Sequence, residues 1–310
     1  MERHPETGLI FRPLEHFAAS CDWMRDQFRE RGLAVHPGSS LARGMSALER
    51  FREKVVVDDY FRFETTDACY DFMAEVYGVD FVTKAIHWGS TAGLTLDERR
   101  WKLLAKGDPV ITRKTDESGK PRNETWEVIL ASLASTFATD VQFDEPDVTC
   151  TYRGRRYAIA AKVAYSNANV IDNIEKGFKQ ARSKADAVLV FVNVASIYPQ
   201  VETLRWSFHR KFAHNDQAVG VMRGSVTRWC TKWPLEGLAR RIRAKATEPV
   251  GVAFFVPMVL HVAGAPRPFF YTHMPLVWDH KSPDYEFARA FLDRCNDVGS
   301  FAPGVEMGEP

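Results

Sequence analysis

The sequence predicts an α/β protein, with a helical N-terminal region followed by a central mixed β-sheet flanked by helices. Three observations carry that expectation. Up to about residue 110, apolar side chains recur at steps of three and four, as at Phe17, Cys21, Met24 and Phe28, the period of amphipathic helices. Residues 147–163 read as two strands joined at Arg153-Gly154-Arg155. Residues 187–193, Ala-Val-Leu-Val-Phe-Val-Asn, form an apolar run suited to a buried strand.

Taken in order, the first helix spans 14–31 and closes at Gly32. A turn cluster, Pro37-Gly38-Ser39-Ser40, precedes a helix over 41–54. Thr66-Asp67 would cap a helix carrying Cys69, Phe72 and Val76, expected to stop at Gly78. Thr95 and Asp97-Glu98 lead a helix with Arg99, Arg100, Lys102 and Lys106 behind them, acid first and base last, which suits the helix dipole. Residues 112–122 are charged and contain Gly and Pro, a linker composition. The boundary falls near 115, dividing a helical region (1–115) from an α/β domain (116–310). A helix over 123–139 then shows Trp126, Ile129, Leu130, Leu133 and Phe137 on one face. The hairpin, a helix over 170–183 and the strand 187–193 follow. Residues 201–215 are rich in Arg, His and aromatics, and 235–245 form a basic helix. Two β-rich segments, 250–262 and 268–278, flank Ala-Gly-Ala-Pro as a hairpin. A last helix covers 284–295, and the tail after Val298 is expected to fray. The sheet should hold four or five strands.

Bulk properties narrow the function. Of the 310 residues 45% are hydrophobic, enough for a packed core. The net charge of +1 gives no global basic field, so nucleic acid would bind a local patch. Five scattered cysteines with no metal-finger spacing predict reduced thiols in a cytoplasmic protein. The start, Met-Glu-Arg-His-Pro-Glu, lacks a signal-peptide pattern. No apolar stretch nears the roughly 20 residues of a membrane helix. His209 and His214 are five apart, where a helical metal pair prefers three or four, and they read as part of an exposed basic segment. No phosphate-binding Gly-rich loop or nucleophile elbow is present.

The polar residues of 122–196 point to chemistry. Asp147 opens the first hairpin strand and Lys162 nears the end of the second, so the turn brings them together at the open end of the ladder. Alternation places Ala160 and Lys162 on one face, while position 161 faces away and offers its carbonyl. A lysine in an otherwise apolar strand is costly to bury without a partner. Glu127 heads a stripe of small residues, Ala131, Ala134 and Ala138, on the preceding helix, and could be a second carboxylate; Glu124 lies one turn earlier. Asp144 and Glu145 are stand-ins, and Ser166 and Asn167 read as a turn. Two converging carboxylates beside a lysine are what metal-assisted phosphodiester hydrolysis needs. Arg153, Arg155 and Arg156 at the hairpin turn, and Lys176, Lys179, Arg182 and Lys184 along the next helix, could contact phosphates, as could Arg240, Arg241, Arg243 and Lys245.

Pro146-Asp147, a strand–turn–strand ending in Lys162, a helix with Gln180 and a buried strand together resemble the PD-(D/E)XK superfamily of restriction-endonuclease-like nucleases, over about a quarter of the chain. The family pattern has an acid two residues before the lysine; this chain has Ala160. Some members move that carboxylate to a neighbouring helix, as Glu127 or Glu124 would here. The resemblance implies a restriction-endonuclease-like core and a Mg²⁺- or Mn²⁺-dependent DNA endonuclease in genome defence or DNA processing. It assigns Lys162, Asp147, Glu127 and Gln180 to catalysis, with Asp147 and Glu127 on the metal. Arg153, Arg155, Arg156, Lys179 and Arg182 would bind nucleic acid. DNA is the expected partner, RNA is compatible, no membrane is involved, and a homodimer is an option by analogy. The alternative is an inactive nuclease-fold protein that binds nucleic acid or a partner protein. A third reading has the N-terminal helices gating a nuclease.

Overall fold

The structure is a computed structural model, and it describes residues 10–12, 14–56, 65–106, 120–230, 232–262, 269–278, 281–299 and 301–303. Its elements in chain order are β1 (Ile10–Arg12), α1 (Leu14–Glu30), α2 (Ser40–Val56), α3 (Thr66–Thr91), α4 (Glu98–Leu104), α5 (Lys120–Ser135), β2 (Thr139–Gln142), β3 (Val148–Tyr152), β4 (Arg155–Val163), α6 (Asn169–Ala181), β5 (Ala187–Asn193), α7 (Gln200–Arg210), α8 (Asn215–Cys230), α9 (Leu235–Arg243), β6 (Val250–Leu260), β7 (Phe269–His273), β8 (Leu276–Val277), α10 (Tyr285–Gly299) and β9 (Phe301–Pro303).

The protein is α/β, built on an open mixed sheet flanked by helices. The strand order is β1-β9-β7-β6-β5-β4-β3-β2, with β8 also on β6. β3 and β4 pair antiparallel, and α6 carries the chain over to β5, which lies parallel to β4. β6 extends the parallel set, and β7 turns back antiparallel. The β3–β4 turn has two central residues, Arg153 and Gly154, both at positive φ (50° and 76°), the conformation that keeps a tight hairpin in step with the strands' twist. β5 is buried on both faces because helices cover both.

Two apolar layers sandwich the sheet. On one side, α1 to α5 and α10 pack on Ile159, Ala161, Val163, Leu189, Phe191 and Phe255. On the other, α6, α8 and α9 cover Ala158, Ala160, Val188, Val190 and Phe254. The N-terminal helices therefore share a core with the sheet, as where Tyr77 stacks on Phe270 and Phe81 meets Phe255. Of the proposed linker at 112–122, residues 112–119, with the boundary near 115, lie outside the described residues, while residues 120–122 open α5.

Four expectations are corrected. The third helix does not stop at Gly78 but continues to Thr91, because it is buried along nearly its whole length and tertiary packing outweighs one glycine's propensity. The helix before the hairpin ends at Ser135, and Thr139–Gln142 is an edge strand. The segment after 201 holds two helices, α7 and α8, and the sheet has nine strands among the described residues. Beyond Val298 the chain forms β9, paired with β1 and β7, and residues after 303 lie outside the described set.

Candidate functional site

The site lies at the carboxyl ends of β4 and β5, where an open α/β sheet offers backbone and side chains to a ligand. The ladder runs Val148 opposite Ile159, so Asp147 falls one step further along, opposite Ala160. Asp147 Oδ2 accepts hydrogen bonds from Lys162 Nζ (2.7 Å) and from the Ala161 amide (2.7 Å). The side chains of Asp147 and Lys162 are only 13% and 15% exposed, so the ion pair is largely shielded from water. Asp147 Oδ1 has no hydrogen bond among the described residues.

Glu127 approaches from α5. Its carboxylate has no hydrogen bond or ion pair among the described residues, yet it feels the charges of Asp147, Glu124, Lys162 and Arg100. Burial pushes the Glu127 carboxyl up to about 7, helped by Asp147 and Glu124 and opposed by Lys162 and Arg100. Burial also raises Asp147, outweighing its bonds to Lys162 and Ala161. A cavity between α4 and α5 opens beside Glu127 and is lined in part by Arg99, Arg100, Glu124 and Thr125. Arg99 Nη2 donates to Glu124 Oε1 at 3.0 Å, while Glu124 Oε2 is buried without a hydrogen-bond partner. Arg100 pairs with Asp97 and lies 3.7 Å over the Phe143 ring, in the segment leading to Asp147.

Ala160 faces α6 and is fully buried. A Cβ placed on Gly177 would stand 3.1 Å from Ala160 Cβ and 2.9 Å from Val190 Cγ1, so the helix backbone rests on the strand there. The stem of Lys162 runs under the same glycine, 3.4 Å from that Cβ position. A longer side chain at 160, an acid included, would run into α6.

The structure thus pairs Asp147 with Lys162 and sets Glu127 within electrostatic reach of both. Glu124 and Glu145 lie within electrostatic reach of Glu127 and Asp147 respectively, but Gln180 and the other named basic residues are not brought to the site. Gln180 is on the exposed side of α6. Arg153, Arg155 and Arg156 occupy the far end of β4: Arg153 pairs with Glu286, Arg155 Nε lies 2.9 Å from Asp284 Oδ1, and Arg156 is 3.9 Å from Asp144. Lys179 and Arg182 are exposed at the C-terminal end of α6. Sequence reasoning missed Arg100, Phe143 and Gly177. Arg99-Arg100 read as ordinary helix charge, and only the close approach of α6 reveals the role of Gly177.

The donor set suits a hard divalent cation. It offers two carboxylates with oxygens not already bonded, and Mg²⁺ commonly takes one or two carboxylates and keeps waters. Asp147 and Glu127 are those groups. No cluster of three or more His, Cys, Asp or Glu placed to hold a metal occurs among the described residues. All five cysteines are free and buried. No helix among the described residues is long and apolar enough to cross a membrane. Comparison with protein-family models, curated proteins and solved structures found no match.

Proposed function

We propose that this chain is a metal-dependent nuclease that hydrolyses DNA phosphodiester bonds, in genome defence or DNA processing, on a restriction-endonuclease-like core over about residues 122–196. The observation that carries this reading is the Asp147–Lys162 pair, held on adjoining strands beside an unpartnered Glu127. The order helix, hairpin β3–β4, helix, parallel strand from α5 to β5 supports the reading, with β2 added at the edge of the hairpin.

Asp147 and Glu127 would hold Mg²⁺ or Mn²⁺, which when bound neutralises phosphate charge and acidifies water. Lys162 has three N–H donors and spends one on Asp147, leaving two for the oxygens on which charge develops. Glu127, poised near neutrality, must lose its proton to take part. Gln180 would contact the phosphate backbone from the exposed side of α6. The exposed Lys179 and Arg182, with Arg156, would meet the backbone away from the cut, whereas Arg153 and Arg155 are engaged by Glu286 and Asp284. RNA fits the same chemistry, and a homodimer would let two sites cut opposite strands. Free, buried cysteines suit a reducing cytoplasmic setting.

The test is nicking of supercoiled plasmid and cleavage of single-stranded DNA with Mg²⁺, Mn²⁺ or EDTA, beside Lys162→Ala and Asp147→Ala. Metal-dependent cleavage should fall about 100- to 1000-fold in both variants. Wild-type cleavage no greater than that of Lys162→Ala sinks the proposal. It would favour the second reading, a non-catalytic scaffold that binds nucleic acid or a partner protein, which the closed space at Ala160 supports.

A further inference from the structure

We infer that the cavity between α4 and α5 is a phosphate subsite whose cations are Arg99 and Arg100, so that the helical N-terminal region supplies part of the site itself. The inference rests on the nuclease reading for the identity of its ligand, a phosphodiester, and on geometry for its place.

Both arginines line the same cavity as Glu127. Arg100 is pre-organised: Asp97 holds one side of the guanidinium, Phe143 lies 3.7 Å beneath its face, and the side chain is 22% exposed. A guanidinium fixed in this way presents its remaining N–H groups as a planar fork, the shape that suits a phosphate. Phe143 stands four residues before Asp147, so the arginine is tied to the segment that delivers the carboxylate. Arg99 is 70% exposed and contacts only one oxygen of Glu124, leaving it free to turn toward a ligand.

Charge decides when the subsite can fill. Arg99, Arg100, Glu124 and Glu127 line the cavity, Asp97 pairs with Arg100, and Lys162 and Asp147 act on Glu127 from beyond the lining, so three positive groups stand against four negative. With every group ionised the balance is −1, and a phosphate is repelled. One divalent cation on Glu127 and Asp147 makes it +1. Cation and phosphate should therefore enter together, the arginines taking the phosphate oxygens that the cation and Lys162 do not.

Binding is read without turnover, with Ca²⁺ in place of Mg²⁺ to keep the probe intact. Fluorescence anisotropy follows a labelled DNA duplex on wild type, Arg99→Ala and Arg99→Ala/Arg100→Ala across a salt series. A calorimetric titration of pyrophosphate with Mg²⁺ on the same proteins forms the second arm. Thermal melting checks that the double variant is folded, and Arg99→Ala alone removes a side chain too exposed to matter for folding. The double variant should bind duplex about 10- to 100-fold more weakly, with the slope of log affinity against log salt reduced by about 1 to 2, and Arg99→Ala by about 1. If wild type ignores DNA but binds pyrophosphate, and the double variant loses that binding, the subsite stands and the nuclease reading falls. Wild-type affinity in the folded double variant for whichever probe binds, or no binding of either probe to wild type, overturns the subsite.

Discussion

The two ends of β4 use charge in opposite ways. At the carboxyl end, one ion pair joins Lys162 to Asp147, while Glu127 stands beside it with no partner among the described residues. At the amino end, Asp284 accepts from Tyr157 Oη at 2.9 Å and Ser282 Oγ at 3.2 Å and pairs with Arg155, while Arg153 reaches Glu286. Seven residues at roughly 3.3 Å each put the ends about 23 Å apart. At the amino end the charges are spent on fastening the hairpin to α10. At the carboxyl end the half-buried Glu127 carboxylate stands without a hydrogen-bond partner among the described residues, at a cost in desolvation.

The largest effect on stability should come from breaking the fastened end. Asp284 is 1% exposed, so Asp284→Ala leaves Tyr157 and Arg155 facing an empty site. The expected cost is about 2 to 4 kcal/mol, or a melting point lower by about 5 to 10 °C. The protein that remains folded should still bind duplex DNA as wild type does. A loss below about 0.5 kcal/mol would show that the two ends do not differ in kind.

The open end should behave in the other sense, and pH exposes it. The Glu127 carboxyl titrates near 7 in the folded chain, against 4.5 for its ordinary value. Between those values the folded state binds more protons than the unfolded state, so stability falls as pH rises from about 4.5 to 7 and then levels off. The raised Asp147 adds a loss of the same sign, starting from its ordinary value of 3.8. Glu127→Gln removes the first of these losses. Urea unfolding should find it more stable than wild type by about 1 to 3 kcal/mol at pH 8 and nearly equal at pH 4.5. Equal stability of the two proteins at both pH values would mean that Glu127 is solvated after all. Calorimetry in buffers of different ionisation enthalpy should also detect a proton released when Mn²⁺ binds near neutral pH, and none in the Gln variant.

What the sequence disclosed and what it hid divide along the same line. β5 was legible to the residue because a buried strand must be apolar throughout, and the hairpin register followed from one turn, which was enough to bring Asp147 to Lys162. Glu127 was legible as the head of a stripe of small residues. Contacts set by tertiary approach were not. The partners of Arg153 and Arg155 lie about 130 residues further on, so both looked available to a ligand. The space at Ala160 depends on how α6 crosses β4 at Gly177. α3 hid for a related reason: a helix buried on nearly all sides has no polar face to reveal its period, and Gly78 then reads as an end.

The smallest expected effect sharpens the comparison most. Arg153 is 67% exposed and its partner Glu286 59%, an ion pair in water. Such a pair contributes little, so Arg153→Ala should change stability by less than about 0.5 kcal/mol. Its guanidinium is also committed to Glu286 and to the Tyr152 ring 5.2 Å away, whereas no ion pair engages Lys179 or Arg182 among the described residues. Lys179→Ala/Arg182→Ala should therefore lower the salt slope of DNA binding by about 1 to 2, and Arg153→Ala should leave it unchanged. If Arg153→Ala instead lowers the slope as much per charge removed, Arg153 leaves Glu286 when DNA arrives. The amino end of β4 would then be a second contact face, about 23 Å or some seven base pairs from the cut.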